Sequence, residues 1–130
     1  MKNSFLATLL WSSTDDACDP LDLNYAISDV DNTEVVDRVI CQFISLVEAD
    51  PILISIENIT ELTGNNSDTI AHDLCLTINR YGAGFWDGEY SSDGIVSGTI
   101  GDRLTAISHT FTEIYIFEND NDNRLTIEQC

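Results

Sequence analysis

Apolar and polar positions alternate along the chain with two different periods, and the switch between them predicts the elements. Phe5, Leu6, Leu9 and Leu10 fall on one side of residues 3–13, which predicts an amphipathic helix. A polar loop follows through Asp15, Asp16, Pro20 and Asn24. Asp31 or Asn32 then offers an N-cap, with Glu34 and Asp37 suited to the first turns. From Thr33 to Glu48, Val35, Val39, Phe43 and Val47 form one stripe, and Val36, Ile40 and Ile44 form the next. No charged residue falls between Arg38 and Glu48, so this segment reads as the central core helix. Its β-branched content leaves a strand as the alternative for part of it.

Pro51 is suited to the first turn of a helix running to about Leu62, although Ile52, Ile54 and Ile56 alternate as in a strand. Gly64-Asn65-Asn66 is a break, and Ser67 or Asp68 caps a short helix through Asp73. Leu74–Asn79 and Phe85–Tyr90 read as two strands around a turn holding Gly82 and Gly84. A Ser/Gly loop at 91–98 leads to a helix from Ile100 to Phe111. Ile114 and Ile116 alternate with Tyr115 and Phe117 in a strand, and the polar run Glu118–Asn123 turns the chain into a last strand, Arg124–Ile127. The expected fold is a single α+β domain over residues 1–130. A helical N-terminal half packs with a small antiparallel sheet of about four strands and one helix of the C-terminal half.

Charge changes this picture more than composition does. The 130 residues include 23 Asp and Glu against five Lys and Arg, a formal net charge of -18. Twelve acids fall in residues 1–65 and eleven in 66–130, so the acidity belongs to the whole folded surface and not to a tail. Such charge repels itself in the compact state and exceeds what solubility needs. A saline environment, cation binding or a basic partner would each account for it. Duplex DNA carries one charge per ~1.7 Å of axis, so this charge corresponds to roughly 30 Å of duplex. Direct nucleic-acid binding needs Lys and Arg and is not expected.

Cys18, Cys41, Cys75 and Cys130 form neither a C-x-x-C pair nor a zinc spacing. Cys41 and Cys75 lie in apolar runs and are expected to be buried, and a reduced cytosolic setting follows. No run approaches the length of a membrane span. The apolar stretch Phe5–Trp11 is short for a signal peptide, and Asp15 and Asp16 stand where a cleavage site would be, so a helix is expected there.

Candidate chemistry is sparse. His72-Asp73 could pair an imidazole with a carboxylate, but adjacent residues diverge on a helix or strand, and a surface His at a helix end is the simpler reading. His109 beside Ser108 is not a triad without a meeting in space. Asp87 and Glu89 flank Gly88 on one face of the expected strand and could hold a cation or divide acid and base roles; a solvated strand end is the alternative. Glu118–Asn123 has the composition of a calcium loop, but in either register the ligand pattern fails at Arg124 and Leu125 or at Gln129, leaving a hairpin turn. Gly82-Ala83-Gly84 is too short for a phosphate loop. Phe85-Trp86 beside it is either core or an exposed protein-binding anchor. No cofactor or metal site is assigned.

Two strings carry a resemblance. Leu10-Trp11-Ser12-Ser13-Thr14-Asp15-Asp16, with Pro20-Leu21-Asp22 and Asn24-Tyr25, resembles the start of a family of short acidic proteins of tailed bacteriophages and other mobile elements. His72-Asp73, Leu76-Thr77, Asn79, Gly82-Ala83-Gly84-Phe85-Trp86-Asp87, Gly101-Asp102 and Leu104-Thr105, continued by Phe111 and Glu113, are similar to that family's second half. The likeness is weak between 33 and 66. It implies a phage or plasmid origin and brings no activity with it. Cys18 stands where the family often has Gly, and Arg80-Tyr81 where it often has Gly-His, so any role of that His as ligand or base in relatives has no counterpart here.

The expectation is therefore an accessory protein of the infected host's cytoplasm that is not an enzyme. It would bind a basic host protein, one that itself binds nucleic acid, and in the sharper form would act as a DNA mimic against a defence or repair enzyme. Trp11 and Trp86 would give specificity, and Asp15, Asp16, Asp19, Asp22, Asp87 and Glu89 would make the contacts. Two alternatives stand beside it: a small metal-dependent enzyme using His72 with Asp87 and Glu89, and an acidic structural or assembly protein from a saline habitat.

Overall fold

Five helices and three strands build the domain in the computed structural model, which describes residues 1–14, 18–80, 84–85, 90, 99–119 and 122–130. The fold is α+β. The elements are α1 (Lys2–Ser12), β1 (Val30–Asp31), α2 (Glu34–Ala49), α3 (Ile56–Thr63), α4 (Ser67–Ile78), α5 (Thr99–Ser108), β2 (Ile114–Glu118) and β3 (Leu125–Gln129). Two short 3-10 turns, Leu21–Leu23 and Ile27–Asp29, join α1 to β1.

The first helix buries the stripe its sequence predicts, Phe5, Leu6, Leu9 and Leu10, against α4. The latter is the most enclosed element: Ile70, Ala71, Leu74, Cys75, Leu76 and Ile78 are all buried. Two expectations fail here. Leu74–Ile78 is helix, not strand, and the central core helix is α4 rather than α2. A helix surrounded on all sides shows no polar face, so its apolar run has the same appearance as a buried strand.

The second helix keeps Val36, Val39, Ile40, Phe43 and Val47 inside and turns Arg38, Cys41, Gln42 and Ser45 outward. Cys41 is thus exposed, against expectation, because its position falls on the back of the stripe. Cys75 is buried as expected, and burial pushes its thiol pKa up and holds it protonated. The N-cap of α2 is Thr33; Asp31 lies in β1, and Asn32 takes a left-handed φ of 62°.

Pro51 opens no helix. Residues 51–53 form a turn, and α3 begins at Ile56, where Ser55 Oγ accepts from the Asn58 amide at 3.0 Å. Asp50 accepts from the amides of Ile52 (2.8 Å) and Leu53 (3.1 Å), and Arg103 Nη1 donates to it at 2.9 Å. Burial pushes the Asp50 pKa up, but these amides and the guanidinium together outweigh it and hold the carboxyl below its ordinary value. Gly64, at φ 78°, ends α3 in the left-handed cap that the sequence break implies. The N-cap of α4 is Asn66, one residue before the expected cap.

The sheet has order β1-β3-β2. The β2–β3 pair is the expected antiparallel hairpin, from Ile114 opposite Gln129 to Glu118 opposite Leu125. The first strand joins β3 in parallel, Val30 opposite Leu125, so the sheet is mixed and not purely antiparallel, with three strands among the described residues where about four were expected. A two-residue strand leaves no period to detect in sequence. The other expected strand, Phe85–Tyr90, runs largely outside the described residues; its ends, Phe85 and Tyr90, are buried turn residues. Phe85 stacks on Phe43 at 6.1 Å, and Tyr90 meets Phe85 edge-on at 5.0 Å.

Candidate functional site

Four features carry side chains with chemical potential, and they lie on different parts of the domain. The first joins α1 to α4. His72 Nδ1 lies 2.8 Å from Thr8 Oγ1, whose single proton goes to the Ser4 carbonyl at 2.8 Å. The imidazole Nδ1–H must therefore be the donor to Thr8, which leaves Nε2 as the acceptor in the neutral ring. Trp11 lies over the same histidine, with ring centroids 6.1 Å apart. Asp73 turns the other way: it is buried and accepts from the Tyr90 hydroxyl at 2.5 Å. His72 and Asp73 thus serve two separate contacts, as neighbours on a helix must. His72 lies mid-helix and half-buried, not at a helix end. His109 is exposed beyond the end of α5.

The second feature is the end of the sheet where β1 starts. Arg124 binds Asp31 through Nε and Nη2, at 3.1 and 2.9 Å, and lies within electrostatic reach of Asp29 and Asp122. The guanidinium beside it lowers the Asp31 pKa, chiefly through that hydrogen bond. Glu118, at the same end of the hairpin, accepts from the Tyr25 hydroxyl at 2.7 Å. One cation therefore stands among several carboxylates. Elsewhere, every helix from α2 to α5 carries at least one Asp or Glu.

The third is the outer face of the sheet. Tyr115 and Phe117 project from it and are 50% and 42% exposed. The Tyr115 hydroxyl donates to Glu113 at 2.6 Å, which raises its pKa. Beside this face, a groove of about 500 Å³ runs between β2 and the Ser12–Thr14 segment. The fourth is an apolar groove of about 480 Å³ on the back of α2, between Cys41, Leu46 and Phe111.

Of the expected contact residues, Trp11, Asp19 and Asp22 are exposed, with Trp11 at the C-terminal end of α1. Asp15, Asp16, Trp86, Asp87 and Glu89 lie outside the described residues. Tyr115, Phe117 and the open side of β2 were missed in sequence. Their signal was the alternation itself, in which the residues facing away from Ile114 and Ile116 are aromatic. Among the described residues no three His, Cys, Asp or Glu side chains come together as a metal site, and no helix is long and apolar enough to cross a membrane.

The features define a small acidic α+β domain with an aromatic sheet face and anionic grouping at one sheet end. Comparison with family models, curated proteins and solved structures gives no match of any kind.

Proposed function

We propose that the domain is a binding protein whose negative surface grips a basic polypeptide. One observation carries this reading. Lys2, Arg80, Arg103 and Arg124 are each tied to a carboxylate of the same chain, at Asp37, Glu113, Asp50 and Asp31. Of the five Lys and Arg side chains only Arg38 forms no ion pair among the described residues, and 23 carboxylates outnumber these cations more than fourfold. Uncompensated charge of one sign is a means of steering and selecting a partner of the other.

In its sharper form the partner is a nucleic-acid-binding host protein, and the domain occupies its Lys/Arg groove as DNA would. The phage or mobile-element resemblance and a site of action in the infected cell's cytoplasm belong to that form. Trp11, exposed beside His72, supplies an aromatic contact that charge alone would not. The test is displacement of a labelled DNA duplex from host nucleic-acid-binding proteins by the purified domain, at 50 mM and 500 mM salt. Displacement at low salt that fades by about tenfold or more at high salt is expected. Duplex occupancy untouched at low salt across such proteins would exclude the mimic.

A further inference from the structure

We infer that the edge of β2 left unpaired among the described residues is the docking site for an extended basic segment, which adds to the sheet as a further strand. This rests on the proposed binding function and names the place and geometry of the contact.

The argument starts from hydrogen-bond parity. Cys130 donates its amide to the Glu113 carbonyl at 3.1 Å, and Asn119 donates to the Arg124 carbonyl at 2.8 Å. In an antiparallel pair such bonds fall on every second residue. The odd positions of β2 therefore face β3, and the backbone groups of Ile114, Ile116 and Glu118 face outward. The Ile114 amide is taken by Asn79 Oδ1 at 2.9 Å. The Ile116 N–H and C=O meet no partner among the described residues. They open on the groove of about 500 Å³ whose far wall is Ser12, Ser13 and Thr14.

An open strand edge is a template for any extended chain, and proteins usually guard it with Lys, Pro or a covering segment. Here Glu113, paired with Arg80, and Glu118, which accepts from the Tyr25 hydroxyl, stand at the two ends of the edge instead. A second copy would bring the same glutamates and a further charge of -18, so the edge rejects self-pairing. A basic chain has the opposite balance. Backbone pairing would supply its affinity and alternate side chains its selectivity. Residues of the added strand that neighbour Tyr115 and Phe117 lie on the outer face, where Lys or Arg can rest on the rings. The alternate residues face Ser12, Ser13 and Thr14, a hydroxyl-rich wall that suits small polar side chains. The segment recognised is thus one alternating basic with small residues.

The probe is an end-blocked ten-residue peptide alternating Lys and Thr, titrated against the whole chain while backbone amide NMR signals are followed. Its Glu/Thr counterpart is the charge control. Two further peptides carry N-methyl groups, one on every Thr amide and one on every Lys amide. The Lys/Thr peptide is expected to bind, to shift the Ile116 amide and to slow its hydrogen exchange. One methylated peptide, the one blocked on its pairing edge, should bind at least tenfold more weakly than the other. Equal binding of the two methylated peptides, or shifts confined to other surfaces, overturns the edge site and leaves the binding function standing. A Lys/Thr peptide that binds no better than the Glu/Thr control at low salt removes both.

Discussion

Ile54 occupies a left-handed backbone position, φ 69°, where a β-branched side chain is strained. Three local bonds hold it there: its amide donates to the Asp50 carbonyl at 3.0 Å, Ser55 donates to the Leu53 carbonyl at 2.8 Å, and the Asn58 side-chain amide donates to the same carbonyl at 2.9 Å. The side chain is 56% exposed, so packing returns little for the strain. Ile54→Gly should therefore be more stable than Ile54→Ala by about 1 kcal/mol, because both remove the side chain and only glycine accepts this φ at no steric cost. Chemical denaturation of the two variants decides it, and an alanine variant equal to or better than glycine would show the position is not strained. At this scale the sequence is a poor guide. Ile52, Ile54 and Ile56 share an alternation that implies one face and one role, whereas Ile54 is a solvent-facing turn residue and Ile56 begins a helix. The backbone sign at Ile54 is set by a particular set of short-range hydrogen bonds, which hydrophobic alternation does not register.

The elements were more legible than the residues, and the errors at α4 and β1 share a cause. Helices α2 and α5 and the β2–β3 hairpin each keep one face in water, and that contrast is what periodicity detects. The C-terminal half of α4 has no such contrast, and β1 is too short to have any. Of the candidate contact residues named from sequence, Trp11, Asp19 and Asp22 are exposed, while the β2 edge follows only from register. Tight packing around α5 supports a prediction at this scale. Gly101, in the first turns of α5, has no room for a Cβ, which would press into the Phe85 carbonyl oxygen and approach Tyr90 Cβ at 3.5 Å. Helix propensity favours alanine over glycine by about 1 kcal/mol. The clash is with backbone, which cannot rotate away, and overpacking of this kind costs about 1–3 kcal/mol. Gly101→Ala should thus lower the thermal midpoint, with the loss felt at the Phe85–Tyr90 contact and seen as altered near-UV circular dichroism. A midpoint at or above that of the parent would mean that the Phe85 turn yields freely.

For the whole molecule the governing quantity is the charge of -18 on a chain of 130 residues. Added salt acts on it in two ways that oppose each other. Screening weakens the ion pairs of Lys2, Arg80, Arg103 and Arg124, but these are partly exposed pairs, each worth about 0–1 kcal/mol. Screening also relieves repulsion among the surplus carboxylates, which involves many more charge pairs and extends over about 10 Å at 0.1 M salt. Repulsion wins, so the thermal midpoint should rise between 10 mM and 500 mM sodium chloride, by roughly 5 °C if the relief is about 1–2 kcal/mol. A flat or falling midpoint would mean that the carboxylates are too widely spaced to repel, and would weaken the case for a concentrated anionic surface. Partner binding has the opposite slope, since screening removes the attraction between unlike charges. The two curves measured on one preparation separate the causes: binding that fades while the fold gains stability is lost to screening, and binding that fades with a falling midpoint is lost to unfolding.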